Sequence, residues 1–230
     1  MSAEEVERYY EAAARRPRQP GEDQLHARGA QATVELAELA ALREGERVLD
    51  VGAGLGGPAR FLAERLGVDV TGVDVTAAFV ERAEALTREA GLADRVRFVR
   101  ADATALPFAD GTFDIGWTQH AAMNIRDKAA LYAELRRTTG RLALYDAIAG
   151  AGGPPEYPLP WASVPELSFL VTEDELRALL AGAGFHPTAT RDVTEMGSRW
   201  MRDLPLGPAF ENLGRALDDG RLRLLQLDAG

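Results

Sequence analysis

An α/β fold with a mostly parallel sheet is what this sequence predicts. Three observations carry that expectation. Short β-branched and apolar runs recur, separated by helical stretches of about 10–15 residues, the spacing of βαβ units. The first of those runs ends on a glycine-rich turn, Gly-Ala-Gly-Leu-Gly-Gly at 52–57, which opens straight into a helix. And 46% of the 230 residues are hydrophobic, enough to bury a core in one large domain.

Taken in order, residues 2–16 are rich in Ala, Glu and Arg and read as a helix, broken by Arg-Pro-Arg-Gln-Pro-Gly at 16–21. A second helix is predicted over about 23–42, with Leu25, Val34, Leu36, Leu39 and Leu42 near helical spacing. Arg47–Val51 is the first strand. Pro58 suits the first turn of the helix at 58–66. A strand at 68–74, a helix at 77–90, a strand at 95–100 and a strand at 112–117 follow. Next come a helix at 127–138 and a short strand at 142–145. A Gly- and Pro-rich stretch then begins at 149 and runs on as an irregular connection, a length usually tied to function. Thr172 with Glu175 forms a capping box for a helix at 173–181. Two more strands, 186–194 and 221–227, flank a helix at 208–218.

Composition excludes several chemistries. The chain has no cysteine, hence no disulfide, thiolate metal site or thiol nucleophile. Lys128 is the sole lysine among 26 basic residues, and its setting, Arg-Asp-Lys-Ala, is not a phosphate-loop Gly-Lys-Ser/Thr. A tyrosine four residues before it, as a short-chain dehydrogenase needs, is missing: position 124 is Asn. The net charge of −10 argues against a nucleic-acid partner. No apolar run is long enough to span a membrane, and the start of the chain does not read as a signal peptide, so a cytoplasmic protein is expected. No His/Asp/Glu set has ligand spacing, so no metal is expected.

The glycine turn is the centre of the functional reading. Gly52, Gly54 and Gly56 let the backbone turn sharply and approach a ligand. Such a turn fits NAD, FAD or S-adenosylmethionine, and its alternative is a tight turn without a ligand. Asp74 ends the second strand, where a carboxylate can accept both hydroxyls of an adenosine ribose; its alternative is a helix cap. Asp50 stands two residues before the first glycine. There its charge would repel a pyrophosphate but suits the ammonium of a methionine tail. Asp102, after the third strand, can accept from an adenine amino group or serve as a turn residue.

Four motifs stand in order: Val-Leu-Asp-Val-Gly-Ala-Gly-Leu-Gly-Gly (48–57), Val-Thr-Gly-Val-Asp-Val (70–75), Val-Arg-Ala-Asp-Ala-Thr-Ala-Leu-Pro-Phe (99–108) and Gly-Thr-Phe-Asp-Ile-Gly-Trp-Thr-Gln-His (111–120). Together they resemble the class I S-adenosylmethionine-dependent methyltransferases of the ubiquinone/menaquinone-biosynthesis type. Gly-Leu-Gly-Gly-Pro-Ala-Arg (54–60) is similar to the sarcosine/dimethylglycine N-methyltransferase-like branch. The resemblance implies a Rossmann-like seven-stranded sheet, mostly parallel with the last strand antiparallel, and helices on both faces. It implies S-adenosylmethionine as cofactor, with Gly52, Ala53 and Gly54 along its methionine part, Asp74 on the ribose, Val75 on the adenine, and Asp102 and Ala103 at the adenine edge. Gln119 and His120 would lie beside the sulfonium and the acceptor. One departure is the turn before the fifth strand, Arg-Arg-Thr-Thr-Gly-Arg (136–141), about three residues shorter than the family's Pro-Gly-Gly turn.

Methyl transfer is an in-line displacement, so positioning supplies most of what the protein contributes. His120 is the candidate general base, with a free-histidine pKa near neutrality; its alternative is hydrogen bonding to the acceptor or plain packing. Tyr10 on the first helix is a candidate to close over the cofactor, or an ordinary packing residue. His26 and Arg28 are candidates for the acceptor pocket, Arg28 as a carboxylate clamp, with surface or core placement equally open. Met123 and Asn124 follow the fourth strand, Asn124 orienting an acceptor or capping a helix. Tyr145 ends the fifth strand, and Tyr157 and Trp161 lie in the long connection as pocket residues or loop anchors. One structural domain is expected: a helical lid at 1–45, a catalytic domain at 46–230 and a substrate cap at 149–171. The partner is a small-molecule acceptor of the methyl at nitrogen or oxygen, and the assembly a monomer or homodimer. The alternatives are methylation at carbon, an NAD-dependent oxidoreductase and a non-catalytic cofactor-binding protein.

Overall fold

The computed structural model describes residue 11, residues 23–202 and residues 207–230. The expected helix at 2–16 and the Tyr10 assignment lie outside the described residues. The described elements are α1 (Gly29–Leu39), β1 (Arg47–Val51), α2 (Gly57–Leu66), β2 (Asp69–Asp74), α3 (Ala77–Glu89), β3 (Val96–Arg100), β4 (Phe113–Gln119), α4 (Lys128–Thr138), β5 (Thr139–Ala149), α5 (Glu173–Ala183), β6 (Pro187–Asp192), α6 (Thr194–Arg202), α7 (Pro208–Asp218) and β7 (Leu222–Ala229).

The seven strands form one sheet in the order β3-β2-β1-β4-β5-β7-β6. β1 pairs in parallel with β2 and with β4, and β4 in parallel with β5. β7 enters between β5 and β6 and runs antiparallel to both. This is the expected sheet, mostly parallel with an antiparallel last strand. Strand order reverses between β1 and β4, and open α/β sheets bind ligands beyond the carboxyl ends of the strands at such a switch point.

Helices cover both faces because the side chains alternate. Along β5, Ala143, Tyr145 and Ala147 join the core on one face, with Leu36, Leu62 and Trp117. Leu142, Leu144 and Ile148 join the other, with Leu49, Leu135, Leu180 and Phe185. A strand covered on both faces reads as a near-continuous apolar run, as Val48, Leu49 and Val51 do.

Several local expectations need revision. The helix predicted at 23–42 begins only at Gly29, because Arg28 and Gly29 both take left-handed backbone, φ 68° and 51°. Residues 23–28 run as irregular chain instead. β5 spans eleven residues rather than four, since β4 and β7 offer it partners along its length. Helix α6 has no counterpart among the elements the sequence predicts. The shortened turn at 136–141 is taken up without a loop: α4 runs straight into β5. Thr138 Oγ1 donates to Glu134 O at 2.7 Å and Thr139 Oγ1 to Leu135 O at 2.7 Å, which satisfies last-turn carbonyls. The capping box at Thr172 and Glu175 is present as expected.

Candidate functional site

The glycine turn sits at the carboxyl end of β1, at the switch point. Gly52 N and Ala53 N both donate to Val73 O, at 2.9 and 3.0 Å, so the turn is sewn to β2. Gly52, Gly54 and Gly56 have φ of 76°, 54° and 74°, a region that L side chains enter only with strain. A Cβ on Gly52 would lie 2.3 Å from Ala121 Cβ, so the turn after β4 closes against it.

Two carboxylates flank this turn. Asp74 accepts Gly54 N on Oδ2 and Thr76 N on Oδ1, each at 2.9 Å. It therefore fixes the turn, and because a carboxylate oxygen can accept more than one bond, ligand hydroxyls can share it. Asp50 is buried, and its Oδ2 has no hydrogen-bond partner. Burial, and then the charge of Asp74, push its pKa up to about 7. A buried carboxylate without a partner is costly unless a cation arrives to meet it. The residues present thus fit a ligand carrying an ammonium beside a ribose.

The adenine-side candidates lie at the neighbouring strand ends. Ala101 N donates to Asp74 O, which sets Asp102 next to β2. Asp102 is exposed, and its Oδ1 accepts both N–H and Oγ1–H of Thr104, at 2.9 and 2.8 Å, so one oxygen works as a turn residue. Val75 and Ala103 are half-buried.

Beyond β4 and β5 a compact polar cluster forms. The His120 ring lies 4.6 Å from the Tyr145 ring and 6.2 Å from His26, and His26 lies 6.0 Å from Tyr145. Gln119 Oε1 accepts from Trp117 Nε1 at 3.0 Å and is 3.2 Å from Thr33 Oγ1. Indole N–H only donates, so the Gln119 amide is locked with Nε2 as its free end, buried and unpartnered. His26 Nε2 lies 3.0 Å from Gly29 O; a carbonyl only accepts, so the proton sits on Nε2 and leaves Nδ1 bare. His120 Nε2 is buried and has no partner.

The structure revises the expected roles of several residues. Burial lowers the pKa of His120 to about 3, with a further push from His26, and that of His26 to about 4. Both rings are neutral at pH 7, and the near-neutral pKa expected for His120 is replaced by a much lower one. Arg28 is not a free clamp: its guanidinium forms a two-point pair with Glu35 of α1, at 2.7 and 2.5 Å, with its side chain 3% exposed. Tyr145 presents its ring, because its hydroxyl donates to Ala27 O at 3.3 Å. Trp161 is 2% exposed and its Nε1 donates to Ser168 Oγ at 2.9 Å, so it anchors the long connection within the core. Tyr157 is half-buried against the same core, which Met123 joins with its side chain. The connection closes at its base through Ala149 N to Val171 O, 2.9 Å, and touches the turn after β4 through Phe169 N to Met123 O, 2.8 Å. Asn124 is buried in that turn.

Other contributors are not assigned by the sequence. Arg60, inside the motif at 54–60, is 7% exposed and pairs with Asp23 at 2.5 Å while donating to Thr87 Oγ1 and Ala83 O. Gly57 packs under the backbone of Asp23, and Gly54 under Leu25. Residues 23–28 are thereby fastened across the glycine turn. An Arg at a fixed offset from the turn is the available signal. Arg60→Met should lower unfolding stability by about 1–3 kcal/mol, below the cost of a fully buried pair because Asp23 is partly exposed, as urea unfolding would measure. Thr33 and Gln226 carry no sequence signal: Gln226 Nε2 donates from β7 to Ala32 O of α1 at 2.9 Å.

Among the described residues, no group of three His, Asp or Glu side chains is placed to hold a metal. Nor is any described helix long and apolar enough to cross a membrane.

Comparison with known proteins agrees with this geometry. Residues 48–140 match a family model described as a methyltransferase domain. The chain is 35% identical over 170 residues to 27-O-demethylrifamycin SV methyltransferase of Amycolatopsis mediterranei, covering 71% of this chain and 62% of that one. It is 38% identical over 129 residues to Methyltransferase GfsG of Streptomyces halstedii, covering 55% and 46%. This chain thus spans from about half to under two-thirds of these relatives' length. In fold, it is similar to geranyl diphosphate C-methyltransferase of Streptomyces coelicolor A3(2), with a TM-score of 0.81 at 19% identity, covering 99% and 96%. The switch-point glycine turn with its two carboxylates lies inside the segment, residues 48–140, that is similar to the methyltransferase-domain family model.

Proposed function

We propose that this protein transfers a methyl group from S-adenosylmethionine to a small-molecule acceptor, at a hydroxyl oxygen. The observation that carries the cofactor assignment is the buried, unpartnered Asp50 beside the Asp74-anchored glycine turn. In this reading Asp50 meets the ammonium and Gly52, Ala53 and Gly54 line the methionine chain. Asp74 takes the ribose hydroxyls, Val75 and Ala103 flank the adenine, and Asp102 meets its amino group. A pyrophosphate cofactor is disfavoured by the same Asp50 charge. When bound, the cofactor supplies an already activated methyl.

The protein's own part is positioning and exclusion of water, worth up to roughly 7–11 kcal/mol in well-oriented displacements. Residues 23–45 serve as a lid, and 149–171 as a cap that carries Tyr157 toward the acceptor, with Trp161 as its anchor in the core. Gln119 and His120 face the acceptor, with Met123 and Asn124 along one wall and His26 and Tyr145 along the other. The oxygen assignment rests on a cluster without an anion: two neutral histidines, a locked amide donor and an aromatic ring, with Arg28 already occupied by Glu35. Such a cluster suits a neutral hydroxyl compound better than an ammonium or a carboxylate. His120 Nε2 accepts the hydroxyl's hydrogen bond and would take its proton; the carbon–oxygen bond would form as the methyl–sulfur bond of the cofactor breaks, leaving its electron pair on the sulfur of S-adenosylhomocysteine. A methylated, still protonated oxygen is acidic enough to pass its proton to an imidazole of pKa about 3.

A nitrogen acceptor is the second reading, carried by the motif at 54–60. Titration calorimetry with S-adenosylmethionine and S-adenosylhomocysteine tests the cofactor; no binding of either below millimolar concentration would sink the proposal. Asp74→Ala should weaken binding by about 1–3 kcal/mol, the cost of unpaired buried hydroxyl partners. A screen of phenols, alcohols and small amines, with mass detection of methylated product, separates oxygen from nitrogen.

A further inference from the structure

The turn after β4 is held from beneath by two buried charges on the opposite face of the sheet from the His26–His120–Tyr145 cluster. Lys128 is 6% exposed, and its Nζ donates to Ala122 O at 2.8 Å and Ile125 O at 2.9 Å. Asp146, 3% exposed, follows Tyr145 on β5 and therefore points to the other face. Its Oδ1 accepts Ala147 N at 2.8 Å and its buried Oδ2 has no hydrogen-bond partner; burial pushes its pKa up to about 7, against the opposing pull of Lys128 and of the Ala147, Ala122 and Met123 N–H groups. One turn, 121–125, is thus held by two of its carbonyls from an ammonium, with the Asp146 carboxyl close to its Ala122 and Met123 N–H groups. The two charges also attract each other.

This arrangement is expensive as a stability device. Two desolvated charges stabilise a core less well than apolar residues of the same volume. It has a different use at this location. His120, the residue before the turn, has φ 53°, a left-handed conformation that costs a non-glycine residue about 1–2 kcal/mol. Strain of this kind persists only where the surroundings over-determine it. His120 N is tied to Tyr145 O at 2.7 Å, and the turn that follows is tied to Lys128 through Ala122 O and Ile125 O. Elsewhere the chain uses Arg for every basic position. A compact ammonium that bridges two carbonyls at less than 3 Å is a task a planar guanidinium does not reproduce.

We propose that Lys128 and Asp146 are positioning residues that hold the turn at 121–125, and through it the strained His120 and the buried Asn124, in the geometry required for methyl transfer. The proposal rests on the methyltransferase reading for its function, and on geometry alone for the clamp.

The test uses the full chain with Asp146→Asn, nearly isosteric, and Lys128→Met. Hydrogen exchange of the ligand-free protein, read by mass spectrometry, should show the peptide covering 119–127 exchanging about tenfold faster or more in both variants, with the central strands unchanged. In 15N-labelled protein, the His120 ring should titrate nearer pH 6.5 in the variants than in the parent, as the relaxed ring gains solvent. S-adenosylhomocysteine affinity should stay within about twofold, while turnover of the best screened hydroxyl acceptor drops about 10- to 100-fold through kcat, as expected for a misplaced group. Lys128→Arg should not restore turnover. Unchanged exchange at 119–127 overturns the clamp. So does faster exchange spread evenly over the sheet, which marks a general loss of stability. If Lys128→Met does not fold, Asp146→Asn decides alone. Absence of S-adenosylhomocysteine binding in the parent protein overturns the functional reading, and the ligand-free exchange result still decides whether the turn is clamped.

Discussion

Gly52→Val abolishes binding of S-adenosylmethionine and destabilises the fold by roughly 2–6 kcal/mol, the sum of a left-handed branched residue and an overpacked contact. Both causes are visible at this position. Its φ of 76° lies where a β-branched side chain is strongly disfavoured. The added Cβ would fall 2.3 Å from Ala121 Cβ, so the turn bearing Ala121 must move. That turn begins beside His120, and the displacement reaches both halves of the site at once. A control separates the two causes. Gly91, past the end of α3, also has positive φ, 70°, but a methyl added there would meet nothing within 4 Å. Gly91→Ala should therefore cost only about 1–2 kcal/mol and leave cofactor affinity unchanged. Urea unfolding and calorimetry on the two variants check this; equal losses of affinity would show that strain alone is responsible.

The second large effect is pH dependence of cofactor affinity through Asp50. Burial and Asp74 raise its pKa to about 7 in the ligand-free protein. Below that pH the carboxyl is protonated and cannot pair with an ammonium. A cationic ligand favours the ionised form, so binding releases a proton near neutrality. Affinity should accordingly rise with pH up to about 7 and fall by up to about tenfold for each unit below it. The linkage for folding has the opposite direction: a raised carboxyl pKa stabilises the ligand-free fold at low pH, and that contribution is lost as pH rises from about 4 through 7. Asp50→Asn should weaken binding at pH 8 by about 1.5–3 kcal/mol, the range for hydrogen bonds to charged groups, and flatten the pH profile. Calorimetry between pH 5.5 and 8.5, in buffers of different ionisation heat, reads both the affinity and the proton release. A flat profile in the parent protein would mean that Asp50 does not meet the ammonium.

The parts of the site legible in the sequence are those fixed by local backbone. Gly52, Gly54 and Gly56 stand where the chain must take positive φ, and only glycine does so freely. Asp50 and Asp74 sit at the ends of strands whose register follows from their apolar runs, so their place at the sheet edge is a matter of counting. Arg28 shows the limit of such counting. Its approach to the pocket is a fair expectation from the sequence, but its partner Glu35 becomes evident only once α1 begins at Gly29 and turns back over it. His120 shows a second limit. The residue type and position are evident, but its proton affinity depends on how completely it is buried and on the His26 and Tyr145 rings beside it. Lys128 is, in the sequence, only a count, one lysine in an Arg-rich chain. Its role requires Ala122 and Ile125 of the turn after β4 and Asp146 of β5 to converge on it.

The sequence by itself determined the parallel α/β sheet, the glycine turn and the carboxylates that flank it, because period, turn chemistry and strand ends are local properties of the chain. Only the tertiary structure decided which charges are free to meet a ligand, since ion pairing and desolvation depend on neighbours distant in sequence. Asp50 Oδ2 remains without a partner and Arg28 is paired, and burial, with His26 beside it, lowers the pKa of His120 far below neutrality.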